Sequence, residues 1–170
     1  MAAVTVDQTA ITRATADMIE DVLPIKTSVT LYVGALCNFV TAPGRVRSAA
    51  AETGSGLTCA GLVTEIINDS GASISAGTGN TAGTVKARFT FKQEVLLNVK
   101  TAIRTFTNLG KTVFVADNVT VGGTAVGTAA VRVQAGELLA FANAAGQVGT
   151  TDKTMAYVKL RSGTGAIIAV

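Results

Sequence analysis

The sequence predicts an all-β protein: a compact β-barrel or β-sandwich of short antiparallel strands, with an N-terminal arm or short helix. Three observations predict it. Short runs rich in β-branched and aromatic residues recur at about 8–12-residue spacing, the rhythm of an all-β domain. Glycine punctuates them, with 18 Gly against 2 Pro in 170 residues. One run, Val85–Lys92, alternates cleanly, with Val85, Ala87, Phe89 and Phe91 on one side and Lys86, Arg88, Thr90 and Lys92 on the other. That is the pattern of a half-buried antiparallel strand.

Residues 1–28 read differently from the remainder. In Thr12–Leu23, Ala14, Met18, Ile19, Val22 and Leu23 fall at helical spacing, opposite Asp17, Glu20 and Asp21. Pro24 would stop such a helix at Leu23. So short a helix is marginal alone in water, so it either packs on the domain or serves as an arm that orders against a neighbour. Met18, Ile19, Val22, Leu23 and Ile25 are then the expected partner contacts. The division that follows is an arm or short helix over 1–28 and a β-rich domain over 29–170.

From Ser28 onward the elements are strands and turns. Val29–Val33 is a β-branched and aromatic run, resumed by Leu36–Val40 after Gly34-Ala35. Ala42-Pro43-Gly44 signals a turn, Arg45–Arg47 restarts a strand, and Cys59–Ile67 forms another after a loop over Glu52–Gly56. Asn68–Gly83 is small, polar and glycine-rich with Ile74 as its one anchor, which predicts a long exposed loop or hairpin tip. Glu94–Val99 is a more buried strand. Thr101–Phe106 reads as a helical turn closed by Asn108-Leu109-Gly110, and Lys111–Val115 and Val119–Val121 pair across an Asp117-Asn118 turn. Gly122–Ala130 is a connection. Ala130–Phe141 reads as two short strands around a Gly136 turn, and Met155–Leu160 is the last clear strand. The apolar tail Ala166–Val170 lacks protecting charge, so it pairs either within the domain or with a neighbouring subunit.

Composition narrows the chemistry. Charged residues make up 15% of the chain, below the ~25% common in soluble domains, and mean hydropathy is +0.45. Yet no window approaches the ~18 consecutive apolar residues of a membrane span. The N-terminus lacks the basic and apolar regions of a secretory signal. The apolar excess therefore suggests surface covered by protein partners rather than lipid. Net charge is +3, but the basic residues are scattered and there is no Trp, so no aromatic–basic platform for nucleic acid stands out.

The chain contains no histidine, which removes the commonest general base and metal ligand together. Cys37 and Cys59 lack a CxxC spacing; they are either a disulfide or reactive thiol pair, or two small buried hydrophobes. The densest acidic group, Asp17, Glu20 and Asp21, reads as a solvated face. Gly77–Gly83 resembles a dinucleotide fingerprint only superficially, because a strand and not a helix follows it. No catalytic, cofactor-binding or metal-binding residue is expected, and the chain is read as a non-enzyme.

A family resemblance emerges from the order of features. Thr30–Cys37, with its Gly34-Ala35 turn, is followed by Gly44-Arg45-Val46, by Gly56–Glu65, and by Asn68-Asp69-Ser70-Gly71-Ala72; later comes Leu109–Thr120, reading LGKTVFVADNVT. Over roughly 29–161 this resembles the head decoration, or capsid cement, proteins of tailed bacteriophages. Gly127 is followed by Thr128-Ala129-Ala130 where that family has a basic–apolar pair. The resemblance implies a β-barrel-like module on the outer capsid surface, made in the host cytoplasm and carried on the virion. It would be a homo-oligomer, often a trimer, that locks neighbouring major capsid protein subunits. It implies no catalytic residues; no cofactor and, from the composition, no nucleic-acid or membrane partner is expected. The alternatives are another virion component, such as a tail-tube, collar or minor capsid protein, or a carbohydrate-binding surface module. The last usually needs more exposed aromatics than 2 Tyr and 6 Phe supply.

Overall fold

A computed structural model describes residues 12–13, 19–40, 44–49, 58–123, 133–149 and 151–161. Among them the chain is built of β-strands. In order these are β1 (Thr12–Arg13), β2 (Ile19–Pro24), β3 (Thr30–Tyr32), β4 (Leu36–Val40), β5 (Arg45–Ser48), β6 (Thr58–Ile67), β7 (Ser73–Ile74), β8 (Ala76–Thr78), β9 (Lys86–Phe91), β10 (Glu94–Val99), β11 (Thr112–Val115), β12 (Thr120–Gly122), β13 (Gln134–Ala142) and β14 (Met155–Leu160). Two single-turn 3-10 helices, Thr101–Ile103 and Phe106–Asn108, lie between β10 and β11. The expected all-β class is observed.

The second half of the chain closes into a barrel. Its ring runs β10-β12-β11-β13-β14 and returns to β10. The β10–β12 pairing is parallel and the others antiparallel. Closure removes the exposed edges that invite aggregation. Alternation decides what faces inward: Val95, Leu97 and Val99 of β10 join Val113, Val115, Val121, Leu138, Ala156, Val158 and Leu160 in one core. Leu96 points the other way and is covered by Ala142 and Tyr157, with Leu139 and Met155 packed alongside.

The first half forms a second sheet in the order β2-β9-β6-β4-β5. A parallel bridge between Ile25 and Val46 brings its outer strands together. Its core gathers Ile25, Leu31, Cys37, Val46, Ala60, Val63, Ile66, Val85, Ala87 and Phe89. Strands β4 and β6 serve both cores. Leu36, Cys59 and Leu62 belong to the barrel core, whereas Cys37, Ala60 and Val63 belong to the other. Over Leu36–Asn38 and Cys59–Val63 these strands are thus a shared wall, buried on both faces.

Three expectations are corrected. The helix expected over Thr12–Leu23 is replaced by strands at Thr12–Arg13 and Ile19–Pro24, with 14–18 outside the described residues. Every residue of β2 pairs with β9, from Ile19 opposite Phe91 to Pro24 opposite Lys86, and this tertiary pairing overrides a short helical spacing. The segment therefore belongs to the β-sheet from Ile19 onward. Gly136 is not a turn: β13 runs straight through it. A Cβ there would overlap the main-chain carbonyl of Lys159, so glycine is needed for close approach of β14. Within Asn68–Gly83, β7 pairs with β6 and β8 pairs with β3, so this stretch is only partly a loop. The tail Ala166–Val170 and most of the Gly122–Ala130 connection lie outside the described residues.

Candidate functional site

The expected partner-contact residues separate in the fold. Ile19 is 42% exposed at the start of β2. Val22 and Leu23 are half-buried, and Leu23 packs on the Phe89 core. Ile25 has no exposure at all. It is a core residue and is withdrawn as a surface contact: it sits where β2 meets β5, and its N–H donates to the Val85 carbonyl at 3.0 Å. Met18 lies outside the described residues.

Beside Ile19, β2 carries an ionic network on the outer face of its sheet. Arg88 donates through Nε to Glu65 at 2.7 Å and through a terminal nitrogen to Glu20 at 3.2 Å. Ser73 also donates to Glu65. The Ser73 hydroxyl and then the Arg88 guanidinium hold the Glu65 carboxyl below its usual range. The pairing crosses strands β2, β9, β6 and β7, so it fastens neighbours within one sheet, with both carboxylates held by the one guanidinium.

The glycine-rich stretch is a packing device. A Cβ on Gly79 would overlap the carbonyls of Ile25 and Lys26, and one on Gly77 would crowd Ile66. Arg45 locks this stretch from β5, donating to the Asn80 carbonyl at 2.8 Å and the Thr81 carbonyl at 2.9 Å. Gly77 and Gly79 therefore serve strand approach, and the carbonyls of Asn80 and Thr81 are engaged by Arg45.

Cys37 and Cys59 are free thiols, both buried. Asn38 pairs with Cys59 across the wall, and Cys37 pairs with Gly61. The two side chains enter different cores. Burial pushes the Cys59 thiol up to about 12. Burial, followed by the nearby Cys59, pushes Cys37 well above its ordinary value. They act as small apolar residues. Among the described residues no group of three or more His, Cys, Asp and Glu could hold a metal ion, and no helix is long and apolar enough to cross a membrane.

One surface feature escaped the sequence reading. At the end of the barrel where the two 3-10 turns sit, Phe106 is 64% exposed and Leu109 36%. The Lys153 ammonium stands 3.8 Å from the centre of the Phe106 ring. The same ring meets Phe141, a buried core residue, edge-on at 5.9 Å between centroids. Arg104 donates to the Val99 carbonyl at 2.9 Å, and Lys111 reaches the Asn108 side chain at 3.3 Å. Asp152 lies among these cations, its carboxyl held low by the Thr154 N–H and hydroxyl and then by Arg104. The available signal was an aromatic placed in a short polar turn, TFTNLG.

No family model, curated protein or solved structure matches the chain.

Proposed function

We propose that this chain is a virion structural protein that binds the outer surface of a tailed-phage capsid and cements neighbouring capsid subunits. The observation that carries this reading is that the segments bearing the family resemblance meet in one place. Thr30–Cys37 supplies β3 and the start of β4, Thr58–Glu65 supplies most of β6, so that β4 and β6 of the shared wall both draw on these segments, and Leu109–Thr120 builds β11 and the approach to β12. The two halves join where the Leu36 N–H donates to the Asn118 carbonyl at 2.7 Å. Within those segments Gly34 and Gly110 adopt φ of 83° and 75°, a backbone that favours glycine. The Asp117 carboxylate accepts the Val119 N–H at 3.0 Å and shapes the turn into β12. The residues that carry the resemblance thus have coherent structural work. Small-residue strands, scattered charge and a histidine-free sequence suit a protein whose task is contact.

The test is co-sedimentation of the purified protein with expanded tailed-phage capsids stripped of decoration. Saturable binding at whole-number occupancy per local symmetry axis supports the cement reading and gives the oligomer. Absence of binding, with assembly into rings or tubes, overturns it in favour of a tail or collar component.

A further inference from the structure

The geometry points to the Phe106 end of the barrel as the face that docks on the capsid, seating Phe106 and Leu109 in an apolar hollow of the shell protein ringed by carboxylates. This assignment rests on the cement reading and names the surface through which it acts.

Among the described residues Phe106 is the most exposed of the large apolar ones, at 64%. An aromatic presented this openly is held in position by its neighbours. Phe141 grips its edge from the core at 5.9 Å, and Lys153 covers one face at 3.8 Å. The short turn beneath it is pinned by Asn108, whose amide donates to the Thr105 hydroxyl at 2.9 Å and the Ile103 carbonyl at 3.2 Å. A pre-positioned aromatic loses little freedom on binding, which is why such residues dominate interface energetics.

Charge identifies the partner. Lys100, Arg104, Lys111 and Lys153 belong to this end of the barrel, against the carboxylates of Asp152 and Glu137, the latter beside Gly110. A surface with excess positive charge around an apolar centre matches a partner with the reverse arrangement. A single-stranded nucleic acid fits less well. Among the described residues Phe106 is the one strongly exposed aromatic and Lys153 occupies one of its faces, and the neighbouring apolar residue is the aliphatic Leu109, whereas base stacking calls for open ring faces.

The experiment measures binding of Phe106→Ala, Lys153→Glu and, as a control on the other sheet, Lys86→Glu to the stripped capsids, at low and high salt, with melting curves of each variant. Because Phe106 and Lys153 lie at the surface, the melting temperatures are expected to stay near that of the parent chain. Phe106→Ala and Lys153→Glu should each weaken binding about tenfold or more, while Lys86→Glu binds as the parent does. Parent binding should weaken with salt, and less steeply once Lys153 is reversed. If the parent binds and both variants bind equally well, the docking face lies elsewhere and the cement reading stands. If the parent fails to bind, the cement reading falls and takes this assignment with it. A single-stranded DNA oligonucleotide that binds the parent and not Phe106→Ala, with capsid binding untouched, overturns the assignment in favour of a nucleic-acid surface.

Discussion

The main-chain N–H of Leu36 donates to the carbonyl of Asn118 at 2.7 Å, joining the first strand of the shared wall to the turn that opens β12. Leu36 is fully buried and lies in the barrel core although its strand belongs to the other sheet. Replacing it with alanine removes a side chain from the junction itself. Leu36→Ala should cost about 2–5 kcal/mol, read as a lower urea midpoint with an unchanged denaturant slope.

Phe89 is the largest fully buried side chain and meets Phe39 edge-on at 5.7 Å between centroids. Phe89→Ala should destabilise by roughly 3–5 kcal/mol. A loss below about 1 kcal/mol in chemical denaturation would mean that the Val85-to-Phe91 face does not organise the second core.

Removal of residues 1–28 deletes β2 and the fully buried Ile25. The truncated chain should lose cooperative unfolding, because β9 loses an outer partner along its whole length and the Phe89 core is opened. Retention of a sharp melting transition by this truncation would show that β2 is an accessory strand.

Glu65 gives the sign of one pH effect. Its folded pKa is depressed by Ser73 and Arg88, so its contribution to stability is present above the unfolded value near about 4.3 and is lost as pH falls through the folded value. The pair is partly open to solvent, so the effect is small and screened by salt. Glu65→Gln should flatten the dependence of melting temperature on pH below about 4.3, and a curve unchanged from the parent would remove Glu65 from the network.

The thiols make a kinetic prediction. With both cysteines buried and their pKa values raised, a thiol-reactive dye at neutral pH should label the native chain only as fast as it opens, and label both cysteines promptly in urea. Rapid labelling of the folded protein would contradict their burial.

The strand from Lys86 to Phe91 was legible because one of its faces is largely buried and the other carries Lys86 and Arg88; only Thr90, also buried, departs from that pattern. The wall strands were harder to read. Leu36 and Cys37 are neighbours and both fully buried, because they face different cores, so alternation fades where a strand has no solvent side. The same arithmetic misled at β2, whose apolar residues satisfy a helical spacing by coincidence. Gly136 was read as a turn because sequence does not separate a glycine that bends the chain from one that lets a neighbour close in. Ile25 entered the contact set for its place in the terminal segment, and its bridge to Val46 and full burial, which are tertiary facts, make it core. Phe106 was missed because the two single-turn helices around it are too short for Ile103, Phe106 and Leu109, each three residues apart, to declare a face.

The wall shared by the two cores has a consequence for how the molecule comes apart. A barrel with its own private set of strands can melt while its neighbour persists, giving two steps. Here β4 and β6 line both interiors, so any excursion that frees them empties both at once. The slowest-exchanging amides of the two halves should therefore share one opening free energy, and the chain behaves as a single cooperative unit.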